Sequence, residues 1–182
     1  MRKMLREAAL KISSLGFPSI LNMEKLLSLT ILSRVFNEIS SSRRYKTRED
    51  LWVKEIGLFS KSRNITYLEF GVWQGASIAY IANAFTNENN IFFGFDSFVG
   101  LPEPWDTMTD MKGIGGYSNS GKLPELQDNR VRFIEGWFQN SVDPFVSQIE
   151  IGASALVVHY DADLYSSTLY CLMQVDRLKT EY

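Results

Sequence analysis

Four short apolar runs, Ile65 to Phe70, Ile91 to Phe95, Val131 to Ile134 and Ala155 to Tyr160, set the strongest limit on how this chain can fold. Each has strand length, and the segments between them are long enough for crossovers rather than tight hairpins. Runs that are apolar at nearly every position, instead of alternating, belong to a sheet covered on both faces. The pattern predicts a doubly wound, mostly parallel α/β sheet.

Ahead of that sheet, Leu5, Ala8, Ala9 and Ile12 share one helical face, and Leu26, Leu27, Ile31 and Val35 share another. Residues 1–46 therefore read as an N-terminal helical cap and residues 47–182 as the main domain. The cap either covers the sheet or forms a dimer contact, or else Arg2, Lys3, Arg6 and Lys11 make a basic helix that touches a membrane surface; the first reading is adopted. Thr47 stands where it can cap a helix, with Asp50 at the capping-box position ahead of Leu51, Trp52, Ile56 and Leu58. Residues 106–124 hold four glycines and little that could enter a core. They read as a mobile surface loop, either a lid that contacts substrate or a tolerated insertion.

Composition narrows the function classes. A chain of 182 residues with 45% hydrophobic content and a formal charge of −2 has the profile of one ordinary domain, with no basic field for nucleic acid or membrane binding. No apolar run approaches the roughly 20 residues of a bilayer span, and the opening MRKMLREAALKI lacks a signal-peptide core. A single cysteine, Cys171, leaves no internal disulfide and no thiolate-rich zinc site. These features fit a cytoplasmic protein whose partner is a small molecule.

The chemistry gathers at the ends of the apolar runs. After the first, Gly71 and Gly75 permit a tight turn, and Ser77 and Ile78 open a helix whose first amides are free to meet a polar ligand. Trp73 stands where the dinucleotide pattern would have its middle glycine, so G-x-G-x-x-G is absent. The second run ends in Asp96, one βα unit downstream, where an acid can accept from both hydroxyls of a ribose or cap a following helix. The fourth is followed by Asp161 and Asp163, two carboxylates at a carboxyl strand end that can hold a hard divalent cation such as magnesium, unless Asp163 or Ser166 only caps the next helix. His159 reads as a packed, hydrogen-bonded strand residue rather than a base. Trp137 and Phe138 either flank a purine or belong to the core.

Taken together, EFGVWQGASI, GFDSFVGLPEPW, RVRFIEGWF and HYDADLYSST resemble the macrocin O-methyltransferase (TylF-like) family of class I S-adenosylmethionine-dependent methyltransferases, over about residues 47–172. The resemblance implies a Rossmann-like domain in which Glu69, Gly71 and Gly75 border the methionine part of S-adenosylmethionine, Asp96 binds its ribose, and Ser97 and Trp137 lie near the adenosine. It implies magnesium-dependent methylation of a hydroxyl on a small metabolite, a sugar being the expected case, with Asp161 as metal ligand and base and Asp163 as a second ligand.

The family continues past the fourth strand with three further strands and a paired-acid segment. This chain is accordingly expected to be truncated after its fourth strand and helix. Ala155 to Tyr160 would then be an unpaired apolar edge that invites aggregation or a homo-oligomer, with poor stability or little turnover. The competing functions are a cofactor-binding module without catalysis and a nicotinamide-dependent enzyme; the missing glycine fingerprint disfavours the latter.

Overall fold

Unbroken runs of β-branched and aromatic residues do form the strands, and glycine, asparagine and aspartate punctuate them. A computed structural model describes residue 30, residues 43–107 and residues 110–178. In chain order the elements are α1 (Arg48–Phe59), β1 (Ile65–Phe70), α2 (Ala76–Ala84), β2 (Ile91–Asp96), the two-residue strands β3 (Trp105–Asp106) and β4 (Met111–Lys112), β5 (Val131–Glu135), α3 (Phe138–Val146), β6 (Ala155–Tyr160) and α4 (Tyr165–Val175). All the described residues from Tyr45 onward fall in one compact unit. The helical cap expected over 1–46 lies almost entirely outside the described residues. None of the described helices is long and apolar enough to cross a membrane.

The main sheet has the order β5-β2-β1-β6, and every pairing in it is parallel. Both expectations of the fold class, parallel pairing and helices on the two faces, are met. β1 is buried at all six positions because strands flank it on both sides and helices cover both faces, whereas β6 at the edge is buried fully only at Ala155. Alternation divides the core in two. Ile65, Tyr67 and Phe92 point toward α1 and α2 and pack with Ile56, Ile78 and Ile81. Leu68, Phe70, Phe93 and Phe95 point the other way, against Val142 of α3 and Cys171 and Val175 of α4. Each such side chain, fully withdrawn from water, contributes about 1.5–3 kcal/mol before the ordering entropy is set against it.

Two helix ends are fixed by side chains. The Thr47 hydroxyl accepts from the Asp50 N–H at 3.1 Å, the cap its position predicts. Of the apolar α1 residues named from the sequence, Ile56 alone is buried, while Leu51 and Leu58 stay exposed. At the far end of α2, the Arg130 guanidinium donates to the carbonyls of Ala82, Phe85 and Asn87 and pairs with Asp128 at 2.6 Å. The Ala82 carbonyl in the last turn of α2, that of its C-cap residue Phe85 and that of Asn87 beyond are thereby satisfied.

The 106–124 segment is less plain than its composition suggests. Trp105 and Asp106 pair antiparallel with Lys112 and Met111. The Leu101 N–H donates to the Gly116 carbonyl, Gly115 donates to Leu101, and the Phe98 carbonyl accepts from both Asn119 and Gly121. A two-residue ladder is too short to leave a periodic signal in sequence.

Candidate functional site

The carboxyl ends of β1, β2, β5 and β6 open into one cavity of about 540 Å³. Open parallel sheets bind ligands at this end, because the crossovers leave a crevice where strand connections diverge. Gly71, Ser77, Asp96, Ser97, Trp137, Asp161 and Asp163 all line it. Glu69 and Gly75, named with them from the sequence, do not.

The turn after β1 is built by contact as much as by conformation. Gly71 has φ +92, and a Cβ there would fall inside the Asp161 carbonyl, 2.7 Å from its carbon. The glycine lets β1 and β6 come together where the Asp161 N–H donates to the Phe70 carbonyl at 2.8 Å. Gly75, φ +80, is the N-cap residue of α2, and a Cβ there would press on Pro124 rather than on the cavity. The helix starts at Ala76, one residue before the sequence places it, and Ala76 and Ser77 line the cavity.

Asp96 is already engaged. Its Oδ2 accepts from the Val72 and Trp73 N–H groups, both at 2.8 Å, and its Oδ1 from the Phe98 N–H at 2.8 Å. A carboxylate has about four acceptor positions, so the side chain moulds two loops and keeps little capacity for a ligand hydroxyl. No helix directly follows Asp96, and the capping reading lapses. Ser97 donates to the Gly100 carbonyl at 3.2 Å.

Glu69 sits beneath the cavity floor, fully buried. Ser77 donates to its Oε1 at 2.6 Å, and Tyr67 to its Oε2 at 2.6 Å. His159 Nδ1 lies 3.3 Å from that same Oε2 and 3.0 Å from the Tyr67 hydroxyl. The packed, hydrogen-bonded reading of His159 matches this environment. Burial, and then the neighbouring Glu69, push the Tyr67 phenol well above its ordinary range, which keeps it a donor.

On the β6 side, Asp161 is exposed and Asp163 partly buried. Asp163 has φ +58 and sits inside a tight turn closed by the Leu164 N–H on the Ala162 carbonyl at 2.6 Å. Left-handed backbone at a non-glycine residue costs about 1–2 kcal/mol and persists where the surroundings impose it. Asp163 does not cap α4, whose N-cap residue is Leu164, and Ser166 instead reaches Glu103 at 3.4 Å. Burial first, then the charges of Asp161 and Asp96, push Asp163 up to about 6.

That shift carries a pH signature. Ionisation of Asp163 is disfavoured in the folded state, so the stability it lends below its unfolded value near 4 is lost as pH rises through about 6. Asp163→Asn removes the penalty, and Asn tolerates the left-handed backbone. We expect the variant to be more stable than the parent by about 1 kcal/mol at pH 7.5, after discounting for partial exposure, with the difference vanishing near pH 4. Chemical denaturation at the two pH values checks this; a pH-independent difference contradicts it.

Three cavity residues were not singled out as such from the sequence: Arg48 from α1, and the aromatic pair Trp73 and Tyr117, whose rings meet edge to face at 5.6 Å, Tyr117 coming from the 106–124 segment read as a lid or an insertion. Both aromatics have positive φ, 49 and 60. Trp137 heads α3 at 38% exposure and lines the cavity; Phe138 does so too while packing edge-on against Phe70. Among the described residues no cluster of three or more His, Cys, Asp or Glu side chains is arranged to hold a metal ion. Asp161 and Asp163 both line the cavity at this end, and the charge of Asp161 bears on Asp163.

A family model described as Macrocin-O-methyltransferase (TylF) matches residues 64–178. Among solved structures, the O-methyltransferase NovP is similar at 21% identity with a TM-score of 0.53, over 71% of this chain and 59% of that one. The apo structure of CalS11, a TDP-rhamnose 3'-O-methyltransferase in calicheamicin biosynthesis, is similar at 18% identity with a TM-score of 0.44, over 92% of this chain and 78% of that one. The NovP likeness is one of fold, and the chain spans about 59% of NovP's length. None of the curated proteins matches.

Proposed function

The chain belongs to the macrocin-O-methyltransferase (TylF) family, and from that premise we propose that it transfers a methyl group from S-adenosylmethionine to a hydroxyl of a small metabolite, a sugar-type acceptor, with magnesium assisting at Asp161 and Asp163. The observation that carries the reading is the single cavity lined by both the β1–α2 turn and the Asp161–Asp163 segment. A cofactor on the first and an acceptor beside the second would be neighbours, as in-line transfer between hydroxyl oxygen and methyl carbon demands.

In this reading Gly71 and the first amides of α2 receive the polar methionine end, and the last acceptor position of Asp96 meets the ribose. Ser97 and Trp137 flank the adenosine. Glu69 and Gly75 act behind the surface, by fixing Ser77 and the head of α2. A sugar hydroxyl is a weak nucleophile near neutral pH, and each unit by which its pKa falls is worth about 1.4 kcal/mol. A divalent cation, held by Asp161 and Asp163 with water or the acceptor completing its shell, would supply that acidification. Asp161, exposed at the cavity, accepts the hydroxyl proton, while Asp163 contributes the second carboxylate.

Calorimetry with S-adenosylhomocysteine, followed by a methyl-transfer assay with and without magnesium, tests the proposal. Absence of binding removes it, and binding without turnover on any hydroxylated acceptor reduces the chain to a cofactor-binding module. Asp161→Asn is expected to keep the parent's affinity for S-adenosylhomocysteine within about threefold while losing the magnesium response of turnover, a split that follows if the carboxylate serves only the metal and the proton. An unchanged magnesium dependence takes Asp161 out of that role.

A further inference from the structure

The buried polar group under the cavity joins the two strand ends that carry the candidate site. Glu69 and His159 stand opposite each other in the β1–β6 register, two residues before Gly71 and Asp161. One Glu69 oxygen takes the Tyr67 and His159 contacts, and the other takes the hydroxyl of Ser77, the cavity residue near the head of α2. Tyr67 has one hydroxyl hydrogen and gives it to Glu69. The Nδ1 of His159, in reach of both oxygens, must therefore carry a hydrogen of its own, and the imidazole is held as an Nδ1–H donor. Trp52 of α1 fixes the ring from the side, edge-on at 5.2 Å.

We infer that His159 is a positioning residue: with Tyr67 it orients the Glu69 carboxylate, which in turn holds Ser77 and so sets the aim of the α2 amides relative to the Asp161 strand end. The inference rests on the cofactor reading of the cavity. A carboxylate buried without exposure has no water to complete its shell, so loss of one donor leaves it free to rotate or draw in solvent, and the Ser77 hydroxyl turns with it. The effect reaches the cavity through Ser77, although His159 itself does not line it.

Two substitutions separate positioning from mere packing. His159→Phe keeps the ring against Trp52 and removes the donor; His159→Asn shortens the ring but can place its side-chain N–H near the Nδ1 position. The affinity for S-adenosylhomocysteine is measured where each variant is fully folded by circular dichroism. We expect His159→Phe to bind about tenfold more weakly and His159→Asn to stay within about threefold of the parent, the size of one lost or kept hydrogen bond. Parent-like affinity in the Phe variant, or equal losses in both, overturns the inference. A parent that fails to bind S-adenosylhomocysteine would remove the cofactor reading itself. Hydrogen exchange on the unliganded protein still decides the tether: protection of the Gly71 and Asp161 amides should fall about tenfold in His159→Phe and recover in His159→Asn, and unchanged protection overturns it.

Discussion

Gly71→Ala is expected to leave little folded protein. The substitution forces φ +92 on a residue with a side chain and drives its Cβ into the Asp161 carbonyl. Backbone on one side and backbone on the other leave nothing soft to yield, so relief requires parting β1 from β6 at the Phe70–Asp161 hydrogen bond. Strain of about 1–2 kcal/mol from the conformation adds to a steric conflict of at least about 2–3 kcal/mol. Against a typical total stability of about 5–15 kcal/mol, that is a severe loss. The internal comparison is Gly152, also at positive φ (+57) but with no atom within 4 Å of the place a methyl group would take. Gly152→Ala should show the conformational cost alone, about 1 kcal/mol. Urea midpoints of both variants test the argument; a Gly71→Ala protein as stable as Gly152→Ala would show that the strand ends can separate freely.

Asp96→Ala should damage stability and binding together. If the carboxylate served a ribose and nothing else, its removal would leave the unliganded fold as stable as before. The geometry says otherwise: three backbone N–H groups converge on it, and Val72 and Phe98 are buried residues whose donors would lose their partner. Each unsatisfied buried donor costs about 1–3 kcal/mol, so the expected destabilisation is about 2–5 kcal/mol, with affinity for S-adenosylhomocysteine lost beyond detection. Asp96→Asn keeps one side-chain oxygen and should fall between. Unchanged thermal stability in the Ala variant would mean that the loops before α2 and after β2 hold their shape without the acid.

The sheet was the legible part of the chain. β1 and β6 have the bounds of their apolar runs, and β2 and β5 extend them by one acidic residue each, Asp96 and Glu135, since a strand covered on both faces writes its burial directly into its composition. Asp96 and Asp161 were legible as cavity residues for a related reason: strand carboxyl ends are where parallel sheets open. What Asp96 does there was not legible, because two of its donors lie more than twenty residues upstream in a loop whose path only the folded sheet determines. Glu69, which the family resemblance sets beside the cofactor, does not itself line the cavity. Alternation turns its side chain toward α1 and α2, where Tyr67, Ser77 and His159 meet it, a set of partners that only the folded sheet brings together. Arg48 reaches the cavity from α1, which the sequence marks only as a capped helix, and Tyr117 from the 106–124 segment, whose composition offers a lid without singling out a residue.

The clasp of Arg130 on the last carbonyls of α2 acquires a meaning beside the Glu69 bond to Ser77 at the other end. Held at both termini, that helix is a strut more than a lever, and tilting it to follow a guest would cost those hydrogen bonds. On the function proposed above, discrimination among acceptors of different girth would then fall to the cavity-lining Gly100, Leu101, Pro102, Gly116 and Tyr117 between β2 and β5 rather than to the helix.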